Sequence, residues 1–526
     1  MNRALLALTL AACAPATVDT VQPNAVSKEA LQGEWYWRTT VVDAPYGTET
    51  TFVGAQSDLE RITWSIEEDL LLGYRSYDLV DDTRADIADH GAPVLAYRIL
   101  KQFDIRRAYD RTTGEESNVI QENTERPWYD RTHLRVDWST NLAESAFTMA
   151  GVQLQVTALQ STDPGGRWSH AFDDSDADGT IDAIQLYRRV LSQPDTTLIP
   201  GYGELPSCYF YGRANVDCAP SEVVLADSFL RVDPHDDYVG LAYDDRWTET
   251  FGVFQTQRLH YDRRYGLTEP ERVLWANRHD LWQQSWERDP SGEPLCKKRK
   301  QVAACSSFDP ADEAEPVAIP FREREVRPIA YHVGPGFDPD LRSTLPRLED
   351  AWNEPFRDTV NQLRMWECLE EGGALADCEA QIDPALQVFV ICPHNPSEAG
   401  DPEVCNTDHT GPQGRPDGVP DLADVGDLRY HLLHLVDHPQ LSSPFGYGPS
   451  AADPVGHSLE LPQGPHPTGA GQIIAANAFI YGSVLDRIAT RTADLVSLIR
   501  GDLDVESFID GEQVTGWLEQ LRAGEL

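Results

Sequence analysis

Nine cysteines set the terms on which this chain folds. Eight fall into near neighbours, Cys208 with Cys218, Cys296 with Cys305, Cys368 with Cys378 and Cys392 with Cys405, while Cys13 stands alone near the start. Local couples of this kind suit short disulfide loops closed in an oxidising compartment, and the odd cysteine needs a separate fate. Adjacent pairing is the simplest connectivity, with each loop a staple and no reactive centre. None of the couples has C-x-x-C spacing, which argues against zinc ribbons and thioredoxin-type redox chemistry.

The first residues supply a fate for the odd cysteine. Met1-Asn2-Arg3 is a positive n-region and Ala4-Leu5-Leu6-Ala7-Leu8 opens an apolar run too short to span a bilayer, so residues 1–12 read as a signal peptide. Leu10-Ala11-Ala12-Cys13 resembles a bacterial lipobox. That resemblance implies cleavage before Cys13, acylation of its thiol and a membrane partner reached through the lipid. One acyl chain holds a membrane only marginally, so several would be needed. The alternative is an ordinary secretory signal that happens to end in Cys. Residues 13–30 read as the lipidated tether, and no later stretch is long and apolar enough for a transmembrane helix. The expected location is the cell envelope, as an outer-membrane lipoprotein facing the periplasm or the exterior.

A length of 526 residues leaves room for two or three domains. The 86 acidic against 43 basic residues give a net charge of -43, which excludes nucleic acid or anionic lipid bound through a general basic face. The one strong basic run is Lys297-Lys298-Arg299-Lys300, a solvated loop tip or a dock for an acidic partner.

Strand-like alternation dominates residues 31–147, as in Ile62-Thr63-Trp64-Ser65-Ile66 and Leu134-Arg135-Val136-Asp137-Trp138, and predicts an antiparallel β-rich domain. Residues 148–325 read as a second β-rich region with polar and disulfide loops. The character changes over residues 326–526. Pro328 to Val333 predicts a strand, and Leu341, Leu345, Leu348, Trp352, Phe356, Val360 and Leu363 predict a helix. Pro346 fits the first turn of that helix, whereas Pro355 predicts a kink or a break. Leu386 to Ile391 predicts the next strand. Ile480, Val484, Leu485, Ile488, Leu495 and Ile499 predict an amphipathic helix, and Val514, Trp517, Leu518 and Leu521 a last short one. The fold class is α+β.

Two motifs point to metal. In Asp174-Ser175-Asp176-Ala177-Asp178-Gly179-Thr180-Ile181-Asp182, carboxylates at alternate positions suit a hard cation, and Gly179 permits the sharp turn. Asp174, Asp176, Asp178, Thr180 and Asp182 are therefore candidate calcium ligands, with Gln185 where an EF-hand places its bidentate Glu. His431, His434 and His438 would share one face of a helix and hold zinc there, but would not all do so on a strand. No H-E-x-x-H, P-loop, G-x-S-x-G elbow or dinucleotide fingerprint occurs.

Several dispersed pieces resemble bacterial zinc-dependent metalloproteases of the zincin type that carry an EcxA-like zinc-binding domain. They are Pro328-Ile329-Ala330-Tyr331, Ala351-Trp352-Asn353-Glu354-Pro355-Phe356, Gly426-Asp427-Leu428-Arg429-Tyr430 and Tyr447-Gly448-Pro449-Ser450-Ala451-Ala452-Asp453-Pro454, with Thr468-Gly469 through Gln472-Ile473-Ile474-Ala475-Ala476-Asn477-Ala478 beyond an insertion at about Val455 to Pro467. Val41-Val42-Asp43-Ala44-Pro45-Tyr46-Gly47 and Gly114 to Ile120 resemble that family's β-rich leader. The resemblance implies a zincin-like α/β unit: a strand, a long helix, then strands walling a substrate cleft whose edge pairs with an extended peptide. Zinc and the Glu of H-E-x-x-H carry the chemistry in such enzymes. That segment follows the matched pieces in the family and is absent here, so no residue of its zinc site carries over. The unit reads as incomplete, either a shortened protease or one half of a pair of chains. The expectation is a lipoprotein inactive alone that binds a peptide or protein. The alternatives are a metallopeptidase using the His431 cluster, and a structural or adhesive surface protein.

Overall fold

Strand-like alternation in the first half and one long periodic helix in the second produce a mixed, sheet-rich fold. The computed structural model describes residues 21, 25–45, 51–76, 92–109, 112–143, 146–149, 152–160, 170–173, 181–194, 196–206, 220–233, 236, 238–243, 245–260, 271–308, 314–407, 410–411, 415–416, 422–437, 446–448, 450–454 and 470–510. Cys13, Cys208, Cys218, Asp174, Asp176, Asp178, Thr180, His438 and the helix expected around Trp517 lie outside the described residues.

The first sheet is antiparallel and curled. Its strands are β1 (Val26–Ser27), β2 (Glu34–Asp43), β3 (Glu60–Ile66), β4 (Leu70–Arg75), β5 (Pro93–Tyr109), β6 (Glu116–Asn123), β7 (His133–Asp137), β8 (Ala146–Met149), β9 (Val152–Gln160), β10 (His170–Asp173) and β11 (Ala183–Pro194). After the hairpin of β12 (Thr196–Ile199) and β13 (Gly203–Pro206) comes β14 (Ser221–Arg231). The strand order is β1-β7-β5-β4-β3-β2-β14-β11-β9-β8, with β6 on β5 and β10 on β11. Because β2 pairs with β14, strands from both sides of residue 147 share one sheet. The boundary expected there divides the sequence and not the sheet.

Alternation explains the core of this sheet. Trp35, Ile62, Leu71, Leu95, Tyr97, Leu134, Ile184 and Phe229 point to one buried side. Charged residues are also buried, and they are paired. Arg188 meets Asp227 at 2.5 Å with both side chains sealed from solvent, and Asp227 accepts a second bond from the Thr39 hydroxyl at 2.6 Å. Arg61 meets Glu34 at 2.7 Å.

Between the two sheets along the chain come α1 (Asp245–Phe251), the hairpin of β15 (Gln255–His260) and β16 (Glu271–Ala276), and a small three-stranded sheet. That sheet contains β17 (Leu295–Lys298), β18 (Gln301–Ala304) and β19 (Glu315–Pro316), stapled by Cys296–Cys305.

The second sheet is mixed and begins at β20 (Ile329–Val333), followed by α2 (Leu345–Glu370), α3 (Leu375–Glu379) and β21 (Phe389–Cys392). After the short pair β22 (Thr410–Gly411) and β23 (Arg415–Pro416) come β24 (His431–Val436), β25 (Gly446–Tyr447), β26 (Ser450–Ala452) and β27 (Ile473–Tyr481). Strands β21, β20, β24 and β27 lie side by side and parallel, and β25 and β26 pair antiparallel with the outer side of β27. The chain then enters α4 (Gly482–Arg500) and α5 (Val505–Asp510). Ile480 therefore belongs to a strand, not to the helix expected there. Two disulfides, Cys368–Cys378 and Cys392–Cys405, close loops of this unit as adjacent pairing predicts.

Of the kink or break expected at Pro355, the break does not occur: α2 runs through it unbroken. A proline removes one helical hydrogen bond, but tertiary contacts on both sides of it hold this helix in place. The Asn353 side chain bonds Leu386, Val388 and Phe389, and Phe356 stacks on Phe389 with centroids 5.9 Å apart.

One face of the mixed sheet packs under α2, through Ile329, Val333, Phe389, Ile391 and Leu433. The other packs against the first sheet, where Val436, Phe479, Tyr481 and Val484 meet Val41, Val53, Val190 and Leu225. Polar groups pin the joint: the Tyr481 hydroxyl donates to the Val53 carbonyl at 2.9 Å, and the Tyr36 hydroxyl to Asp453 at 2.9 Å. Gly54 is required there. Its φ is +94°, and an added Cβ would lie 2.7 Å from the Phe479 ring.

Candidate functional site

The two edges of the mixed sheet differ. An edge strand exposes unpaired N–H groups that another chain can take up. On β21 these groups are occupied from within. The Asn353 carbonyl oxygen accepts from the Val388 and Phe389 amides at 2.8 and 3.0 Å, and Glu349 accepts from the Ile391 amide at 2.7 Å. The helix that packs on the sheet thus also seals this edge. At the opposite side β25 and β26 are short, and among the described residues no further strand pairs with them.

On the α2 face, over β20 and β24 and inward of β27, three polar rings converge. Parallel register sets Tyr331 of β20 beside His431 of β24, and the rings stack with centroids 5.2 Å apart. The third is His279. The segment after β16 runs along the start of β27, where the Arg278 amide donates to the Gly471 carbonyl and the Ile473 amide to the Arg278 carbonyl. This brings the His279 ring perpendicular to His431, at 4.9 Å. Phe356 and Phe389 wall the group, and half-exposed Trp352 flanks it.

The surroundings hold all three groups neutral. Burial pushes His279 down to about 4 and Tyr331 up to about 12. Burial, with the neighbouring His279 and His332, pushes His431 down to about 3. The proton position on His431 is fixed as well. Its Nδ1 lies 2.9 Å from the Ala476 amide. A backbone N–H can only donate, so Nδ1 carries the lone pair and Nε2 carries the proton. His431 therefore offers an Nε2–H donor, and its remaining nitrogen is not a ready metal ligand. Nε2 of His431, both His279 nitrogens and the Tyr331 hydroxyl find no hydrogen-bond partner among the described residues, and none of the three residues is fully buried. No carboxylate among the described residues orients either imidazole, so the cluster lacks the base-and-orienter pair of a nucleophilic or hydrolytic site.

The histidines singled out by spacing are not brought together. The segment is a strand, so His431 and His434 point to opposite faces of β24. His434 lies beside Phe479 and Gly334, and a Cβ at position 334 would approach its Nδ1 to 2.1 Å. Among the described residues no three metal-ligating side chains converge. Of the acidic motif only Asp182 is described. Its amide donates to the Asp173 carbonyl at 2.8 Å and closes the β10–β11 hairpin, so this motif joins two strands where an EF-hand joins two helices. His279 carries no motif in the sequence, and only the pairing of its segment with the start of β27 reveals its place.

No family model, no curated protein and no solved structure matches this chain.

Proposed function

We propose that this chain is a cell-envelope lipoprotein, anchored through Cys13, whose mixed-sheet unit holds an extended polypeptide without hydrolysing it. The observation that carries the reading is the difference between the two edges: α2 side chains seal β21, while β25 and β26 are short and, among the described residues, no further strand pairs with them. A strand added there gains main-chain hydrogen bonds for affinity and presents alternate side chains on the sheet face that, inward of β27, carries His431 and His279 and then Tyr331. These neutral rings suit an apolar or aromatic side chain with a polar edge. The order of strand, long helix and further strands is the one that the resemblance to zincin-type metalloproteases implies, which supports descent of the unit from such an enzyme. The proton held on Nε2 of His431 supports a binding role for this cluster over a metal-ligating one.

Fluorescence anisotropy of the whole chain with a labelled unfolded polypeptide, run beside a gel of the same mixture, tests this. Saturable binding with the label intact is expected. Fragments that disappear on adding a chelator would replace the proposal with a working metallopeptidase, and neither binding nor fragments would favour a structural or adhesive role.

A further inference from the structure

In a chain with twice as many acidic as basic residues, a cation is expected to find a carboxylate. The tip of the β17–β18 hairpin does not follow this. Lys297, Lys298, Arg299 and Lys300 form it, and Lys297, Arg299 and Lys300 make no ion pair among the described residues. Glu315 stands opposite Lys297 on β19 without pairing to it. Arg299 occupies the turn at φ +57°, a left-handed conformation that glycine or asparagine takes at lower cost. Val302, across the strands from Lys297, is 49% exposed and adds an apolar surface beside the charges. The Cys296–Cys305 bond sits at the base of the hairpin and limits how far the tip can rearrange.

We propose that this stapled basic hairpin is a membrane-touching finger that binds the phosphates of anionic lipid headgroups. The inference rests on the envelope-lipoprotein reading, because a chain tethered at Cys13 stays beside a bilayer. Basic residues beside an exposed aliphatic side chain suit the interface of an anionic membrane, whereas a site for a free anion would enclose it. The finger acts locally: the net charge of -43 keeps the rest of the surface away, so contact through one cationic point orients the molecule.

The test compares the full chain carrying Cys13→Ser with the same chain carrying Lys297→Gln, Lys298→Gln, Arg299→Gln and Lys300→Gln as well. Each is sedimented with vesicles of phosphatidylglycerol and phosphatidylcholine, and with phosphatidylcholine alone. Loss of about 5-fold per basic residue is the upper expectation, and a drop of tenfold or more, confined to the anionic vesicles and erased by high salt, is the predicted result. Equal binding by both chains, or a tip that binds polyglutamate and not anionic vesicles, overturns the proposal. Mass spectrometry of the natural chain reads acylation of Cys13 separately, so failure of the anchor and failure of the finger are distinct outcomes. Unchanged melting temperatures show that the substituted tip leaves the fold intact.

Discussion

The antiparallel sheet and the mixed sheet bury polar groups in opposite ways. In the first, buried charges are paired: Arg188 with the equally buried Asp227, and Arg61 with the partly exposed Glu34. In the second, the polar groups under α2 are kept neutral, and Tyr331, His279 and His431 leave polar edges without a partner among the described residues. A paired charge fixes a scaffold, because any departure leaves a charge stranded. An unpaired neutral group costs less to keep and is available to a ligand. The contrast separates a region that holds shape from the region proposed to bind.

Breaking the paired side of this comparison has the largest expected effect. Asp227→Asn leaves Arg188 buried without its counter-ion and should lower stability by about 3–5 kcal/mol, read as a shift of the urea midpoint. A loss below about 1 kcal/mol would show that the first sheet does not depend on its ion pair. Next comes the joint between the sheets. Gly54→Ala forces a methyl group onto Phe479 at a left-handed position and should cost about 2–3 kcal/mol. If the sheets unfold together, one urea transition shifts; a new early transition in the variant would mean that the joint alone had opened.

The neutral side predicts a pH dependence. Both imidazoles lie below their usual value of 6.5, so the unfolded chain binds protons first as the pH falls. Their contribution is whole above about pH 6.5 and is lost as the pH falls toward about 4 for His279 and about 3 for His431. Between pH 7 and 5.5 the loss should be on the order of 2–3 kcal/mol for the two together, and His279→Phe with His431→Gln should flatten that slope. An unchanged slope would remove the histidines from the account. The smallest effect concerns the acidic hairpin tip. Calcium at about five times its Kd should add about 1 kcal/mol, seen as a fall in melting temperature on chelation, and no shift would dismiss the calcium site.

The strands of the first sheet were legible because one-sided burial writes alternation into the sequence, as at Leu134 and Val136. The sharing of one sheet by β2 and β14 was not, since pairing across nearly two hundred residues leaves no local trace. Pro346 marked the start of α2 correctly, but a break at Pro355 did not follow, because propensity does not register the Asn353 and Phe356 contacts that hold the helix through it. The candidate site was legible only in part. His431 stood out for its neighbours in sequence, yet its partners are Tyr331, Ala476 and His279, which reach it from three other segments. The three described disulfides followed directly from spacing.

Hydrogen exchange on the whole chain, with and without a bound unfolded polypeptide, tests the central claim most directly. The account predicts slowed exchange in Gly446–Tyr447 and Ser450–Ala452, with no change at the β21 amides that Asn353 and Glu349 already hold. Protection at β21, or none in β25 and β26 while the polypeptide is bound, would contradict it.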